Sequence, residues 1–181
     1  MSSTIDQRKF RDVVAHFPTG VAVVTSATAS GPAGMTLQSF MSLSLDPALV
    51  LLAVDRSSTT WPRVADEGKL LINVLAEGQS ELARQFARSG TDKFAAVDLV
   101  ESDRTDHPLL HGSVAWFDCT IVDQHPGGDH LIAVCSINDF DTTLDQDSLH
   151  PSPLVFFRSQ FPTIVSATPG AVPSRETGGA R

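Results

Sequence analysis

Three short stretches of this chain carry side chains able to do chemistry. The first is HPGGDH, residues 125–130, where two histidines and an aspartate surround a pair of glycines. Imidazole can hydrogen-bond, stack or move a proton near neutral pH, so His130 is a candidate for positioning or proton work, with Asp129 beside it. The glycines alone would make an ordinary hairpin turn and let the backbone approach a ligand closely. The second stretch is RSSTTWP, residues 56–62. Ser57, Ser58, Thr59 and Thr60 stand at the start of a predicted helix, where free N–H groups and hydroxyls suit a phosphate. Arg56, and Lys93 in the later GTDKF, would add positive charge. The competing reading is a plain helix cap, where serine and threonine are favoured anyway. The third stretch is GMTLQSF, residues 34–40, which sets Thr36, Gln38 and the offset Ser39 beside strongly apolar segments. Their donors and acceptors suit the edge of a heterocycle.

Other chemistries find less support. His107, His111, His125 and His130 are numerous, but no H-E-x-x-H or cysteine–histidine pattern accompanies them, so no metal site is expected. No G-x-G-x-x-G follows a strand, which argues against a Rossmann cofactor site. There is no G-x-S-x-G, and no cysteine sits in a nucleophile motif. A formal net charge of −8 disfavours broad nucleic-acid binding. No apolar run reaches the roughly 18 residues of a membrane-spanning helix. The polar opening MSSTIDQRKFRD does not read as a secretory signal. Cys119 and Cys135 lie in strand-like runs and read as two buried thiols, with nothing that demands a disulfide. A cytoplasmic location is expected.

The elements that must position these residues are mostly strands. Residues 5–17 predict a helix, with Thr4 and Gln7 as a capping box, Phe10, Val13, Val14 and Phe17 as its buried face, and Pro18 as its stop. Residues 20–26 predict a strand, 31–34 a turn, 35–46 a long strand, and 48–54 a strand buried on both faces. A short helix over 59–67 ends at Gly68, a strand follows over 69–76, and a helix over 80–89 gathers Leu82, Ala83, Phe86 and Ala87 on one face. The runs 113–124 and 130–140 predict a long antiparallel hairpin around HPGGDH, and 153–158 a last strand. Strands pairing with near neighbours point to a mainly β fold, an antiparallel barrel with peripheral helices. One domain is expected over 1–165, followed by a flexible Pro/Gly/Ser-rich tail over 166–181.

Taken in order, FPTGVAVVT, GPAGMT-x-x-SF-x-S-x-SLDP, RSSTTW, INVLA, LARQFA, DKFA, PLLHGSVAWFDC and HPGGDH resemble the flavin reductase-like family over roughly residues 8–162. The resemblance implies an FMN-binding split β-barrel, usually a homodimer. It implies NAD(P)H:flavin oxidoreductase activity, with NADH or NADPH passing a hydride to N5 of FMN or FAD. Reduced flavin would then diffuse to a partner monooxygenase. It implies flavin contacts from Met35, Thr36, Leu37, Gln38 and Ser39 for the ribityl chain and ring edge. Arg56, Ser57, Ser58, Thr59, Thr60, Lys93 and Phe94 would serve the phosphate end. His130 would position the nicotinamide, and Asp129 would fix the turn or the imidazole. Many members carry Ala-Asn where this chain has Leu37-Gln38, which leaves FMN against FAD open. Many carry a second proline where this chain has Ala48. No basic pocket for a 2′-phosphate is legible, which favours NADH. The alternatives are a reductase that retains its flavin and acts on an organic or metal-complex substrate, a flavin-binding protein without turnover, and a barrel that only scaffolds a partner.

Overall fold

The computed structural model describes residues 5–90, 92–142 and 152–165. Its centre is a seven-stranded antiparallel sheet in the order β3-β2-β6-β9-β10-β5-β4. The strands are β2 (Ala22–Thr28), β3 (Gly31–Leu37), β4 (Met41–Leu45), β5 (Ala48–Asp55), β6 (Lys69–Val74), β9 (Ala115–Gly127) and β10 (His130–Thr142). Two small pairs flank it: β1 (Thr19–Gly20) with β11 (Val155–Phe156), and β7 (Leu99–Val100) with β8 (Leu109–Leu110). The outermost strands, β3 and β4, are consecutive in the chain and joined only by residues 38–40. In a flat sheet those edges would lie about 29 Å apart, at roughly 4.8 Å per strand. The connection spans about 14 Å at most. The sheet therefore has to roll into a barrel, left open between β3 and β4. Ser39 stitches that opening: its hydroxyl donates to Ala53 O at 2.7 Å and accepts from Ala53 N–H at 3.0 Å.

The barrel interior is filled by Val24, Val50, Leu52, Val54, Leu70, Ile72 and Ala133, with Cys119 and Cys135. Trp61 and Val64 of α2 (Trp61–Glu67) pack into the same cluster, so this short helix plugs the barrel. It ends at Gly68, whose φ of 74° is the left-handed conformation that favours glycine. Val23 of β2 and Val21 just before it meet Ala83 and Phe86 of α3 (Ser80–Ala87) and Leu154. Asn73 is fully buried in β6 and fully satisfied. It donates to Val23 O and Thr25 Oγ1, and it accepts from Leu110 N.

The sequence-based expectations meet five differences. The helix over 5–17 shortens to α1 (Gln7–Val14), and Asp6 is its N-cap, accepting from Arg8 N and Lys9 N. Thr4 lies outside the described residues. The face expected to be buried is exposed: Phe10, Val13, Val14 and Phe17 are all more than half accessible. Helical periodicity says that a face wants cover, not what provides it. The turn expected at 31–34 is the start of β3, and the reversal lies just before it, where Thr28 Oγ1 donates to Gly31 O at 2.6 Å. The long strand over 35–46 breaks at 38–40, where the sheet crosses its opening. Finally, β5 is fully buried on one face only, with Leu49, Leu51 and Ala53 half-buried. The tail expected over 166–181 lies outside the described residues.

Both cysteines are buried free thiols. Burial in the apolar barrel pushes both thiols up, Cys135 to about 11. Unfolding returns it to its ordinary value of 9.0. The raised folded-state value fixes the sign: the thiol's contribution to stability is unchanged below pH 9 and falls as pH rises towards about 11, because only the unfolded chain ionises readily. Urea midpoints across pH 8 to 11 are expected to drop, and the drop should shrink in a Cys119→Ala/Cys135→Ala variant. A pH-independent midpoint in the wild type would refute this.

Candidate active site

The hairpin of β9 and β10 closes through only two residues, Gly128 and Asp129, because Gly127 pairs with His130. Gly128 has φ of 74°, so glycine is required there. His125 and Pro126 are strand residues, and His125 meets Asp123 on the exposed surface, away from the site. Strand β10 also pairs with β5, setting His130 opposite Asp55. Two bonds lock the hairpin tip to the chain leaving β5: Arg56 N donates to Asp129 O at 3.0 Å, and Arg56 Nε donates to His130 O at 3.2 Å. His130 Nδ1 lies 2.7 Å from Asp129 Oδ1. The carboxylate fixes Nδ1 as the protonated nitrogen and leaves Nε2 for a ligand.

His130 stands at one end of a cleft of about 430 Å³, with Ala53 and Asp55 of β5 on one side and Thr36 and Gln38 on the other. A second cavity of about 250 Å³ shares Met35, Thr36, Asp55 and Ala87 with the first and continues past Ser57 and Thr60 to Lys93. The two make one groove along β3. Leu37 is buried in the barrel, so only its backbone faces this groove. Thr36 Oγ1 donates to Ala83 O at 2.6 Å, and Gln38 Oε1 accepts from Thr19 Oγ1 at 3.3 Å. Gln38 is exposed; Ser39 lines the first cavity, but its hydroxyl is spent on β5.

The hydroxyl cluster divides its work in a way the sequence does not reveal. Asp55 accepts from both Ser57 N and Ser57 Oγ, each at 2.7 Å. Those bonds hold the Asp55 carboxyl below its usual range. Ser58 Oγ accepts from Trp61 N at 3.1 Å, so Ser58 does the capping of α2. Thr60 Oγ1 accepts from Lys93 Nζ at 3.2 Å. Among the described residues, the backbone N–H groups of Thr59 and Thr60 have no protein acceptor. Lys93 also donates to Gly34 O and Phe86 O, each at 3.0 Å, and no carboxylate lies within ion-pair distance among the described residues. Burial lowers its pKa, as expected of an ammonium with no counter-ion. Idle N–H groups beside an unpaired, half-buried cation fit a phosphate. Phe94 lies on the far side of Lys93 from the second cavity and packs edge-on against Phe86, with ring centroids 5.0 Å apart.

Asp55 is the residue that sequence reasoning missed. Its signal was present: an aspartate two residues before a serine, immediately ahead of RSSTTW, is the pattern of an Asx turn. Ala53 and Ala87 carry no polar signal and are found only by their placement against the groove.

The chain matches the family described as "Flavin reductase like domain" over residues 14–165. It is 35% identical over 161 residues to the flavin-dependent monooxygenase reductase subunit HsaB of Mycobacterium tuberculosis, covering 89% of this chain and 84% of that protein. It is 37% identical over 160 residues to a flavin reductase of Pseudomonas putida, covering 88% and 91%. Among solved structures, the NADH:FAD oxidoreductase SgcE6 of Streptomyces globisporus, in complex with NAD and FAD fragments, superposes with a TM-score of 0.80 at 34% identity, over 92% of this chain and 96% of that one. A rolled antiparallel sheet, a groove suited to a phosphorylated heterocycle and a match across most of the chain lead to one conclusion: this protein belongs to the flavin reductase-like domain family.

Proposed function

We infer that the chain is an NAD(P)H:flavin oxidoreductase that supplies reduced FMN or FAD to a partner monooxygenase. The observation that carries this reading is the groove, which runs from a carboxylate-oriented histidine to an unpaired lysine and fits a flavin laid along β3. With both nucleotides bound, the nicotinamide supplies a hydride and the flavin ring accepts it at N5. The protein's part is orientation. Lys93 and the N–H groups of Thr59 and Thr60 hold the phosphate. Asp55 keeps the Ser57 turn in shape. Met35, Thr36 and Gln38 line the ribityl chain and ring edge, and Ser39 and Arg56 keep β3, β5 and the hairpin tip in register. His130 Nε2 meets the nicotinamide carboxamide, with Asp129 setting the ring's tautomer.

The test is oxidation of NADH or NADPH by catalytic amounts of the protein with added FMN or FAD, followed near ~340 nm, where a kcat of about 1 per second or more is ordinary for enzymes. Turnover that saturates in flavin is expected. Flavin binding without turnover would reduce the protein to a flavin carrier. His130→Ala is expected to raise the KM for the nicotinamide about 10-fold, the value of one lost hydrogen bond and its positioning, with a smaller change for flavin. An unchanged nicotinamide KM would remove His130 from this role.

The protein is read as a homodimer. Edge strand β4 exposes Met41, Leu43 and Leu45, and Phe140 and Val122 are exposed as well. Among the described residues the apolar face of α1 is exposed as well, and grouped apolar surface of this kind suits a protein–protein contact. Two reduced thiols in the core fit a cytoplasmic location. Among the described residues, no helix is long and apolar enough to cross a membrane.

A further inference from the structure

The groove does not stop at Lys93. A third cavity of about 370 Å³ lies beyond it and shares Thr59, Thr60 and Lys93 with the second. Its walls are Ser30 just before β3, Pro32 and Gly34 of β3, Arg63 of α2, and Asp92 and Phe94. The size falls in the range of small-ligand pockets, roughly 300 to 1,000 Å³. Arg63 is anchored rather than free to swing: Nε donates to Ser30 Oγ at 3.1 Å, and Nη2 donates to Gly31 O at 2.9 Å and Thr28 Oγ1 at 3.2 Å. Its Nη1 has no protein acceptor, and no carboxylate pairs with Arg63 among the described residues. Asp92 also lines this cavity, and its Oδ1 accepts from Phe94 N at 3.1 Å. Two cations, neither in an ion pair among the described residues, therefore face one cavity against the single carboxylate of Asp92, with Lys93 on the flavin side and Arg63 on the far side. Pro32 and the Phe94 ring supply apolar surface beside them.

One phosphate monoester satisfies only the Lys93 side of this arrangement. FMN ends there. FAD continues with a second phosphate and an adenosine, which match the second cation and the apolar walls. We propose that the third cavity seats the adenylate half of FAD, making the enzyme selective for FAD over FMN. This rests on the flavin reductase reading above. The nucleotide would follow β3 from Leu37 back to Pro32, five residue steps or about 16 Å at strand rise. Arg63 would meet the second phosphate through Nη1 and a purine would lie against Pro32 and Phe94.

Binding, measured by flavin fluorescence without nicotinamide, tests this. FAD is expected to bind at least about 10-fold more tightly than FMN, a modest return for a second charge contact and a stacked base. AMP should raise the apparent Kd of FAD and leave that of FMN unmoved. Arg63→Ala should bring the FAD and FMN constants to within about 2-fold of each other. Because Arg63 also anchors the 28–32 turn, the AMP competition on the wild type stands as the measurement independent of folding. Equal affinity for FMN and FAD, or AMP displacing FMN as well as FAD, would overturn the assignment and leave the reductase reading intact. AMP competing with NADH in turnover, and not with FAD, would assign the cavity to the nicotinamide dinucleotide and overturn it too. If neither flavin binds, the reductase reading beneath it fails as well.

Discussion

Exchanging Lys93 for methionine is expected to weaken FMN binding about 30- to 100-fold while leaving riboflavin, which lacks the phosphate, within about 3-fold of its wild-type Kd. The argument begins with what the ammonium touches. Its three N–H groups reach Gly34 O, Phe86 O and Thr60 Oγ1, all neutral acceptors. It is half-buried and has no carboxylate partner among the described residues, so its charge is uncompensated where the second and third cavities meet. A phosphate charge placed about 5 Å away gains about 3 kcal/mol at an effective dielectric constant near 20, which is the order of a hundredfold in Kd. Methionine keeps the unbranched stem and removes the charge. The riboflavin control separates electrostatics from damage: a collapsed groove would weaken both ligands alike. Parallel losses for FMN and riboflavin would mean that Lys93 only braces the backbone.

Gly34→Ala is expected to destabilise the fold by about 2 to 4 kcal/mol and to disturb the flavin groove at the same time. A Cβ at residue 34 would lie 2.5 Å from Phe86 Cε1, 2.7 Å from Phe86 Cδ1 and 3.3 Å from Phe94 Cζ. Phe86 is fully buried and stacked edge-on with Phe94, so its ring has no free volume into which to retreat. Space, not backbone conformation, is what glycine provides here. The nearest exit for the displaced ring is the groove, whose wall Phe86 forms. Denaturant titration reads the stability and FMN titration reads the groove. Pairing Gly34→Ala with Phe86→Leu should make the two losses less than additive, because the smaller side chain vacates the contested volume. Strict additivity, or a Gly34→Ala change below about 0.5 kcal/mol, would show that the α3–β3 contact yields freely.

Much of the fold was legible because it rests on local patterns. The hairpin around HPGGDH, the short helix ending at Gly68 and the strands at 22–28, 48–55 and 69–74 announce themselves by turn residues and β-branched runs. The break at 38–40 was not legible. Met41, Leu43 and Leu45 continue the alternation of the preceding strand, and only closure of the sheet forces the chain to cross there. The face of α1 shows the reverse case: its apolar spacing is plain, but it stays exposed among the described residues.

Within the site, sequence alone named the candidate residues, since imidazole, hydroxyl and ammonium groups declare themselves by type, and the ordered motifs declare the family. It could not determine how those groups share their hydrogen bonds. Ser57, Ser58 and Thr60 are chemically alike, yet one serves Asp55, one caps α2 and one holds Lys93. That division depends on which strand ends and helix ends meet, through contacts dozens of residues apart. Tertiary structure alone set His130 opposite Asp55, left Lys93 without a counter-ion among the described residues, and joined three cavities along β3. The physical reason is that side-chain identity is a local property, while charge pairing and empty volume are settled only when distant segments pack.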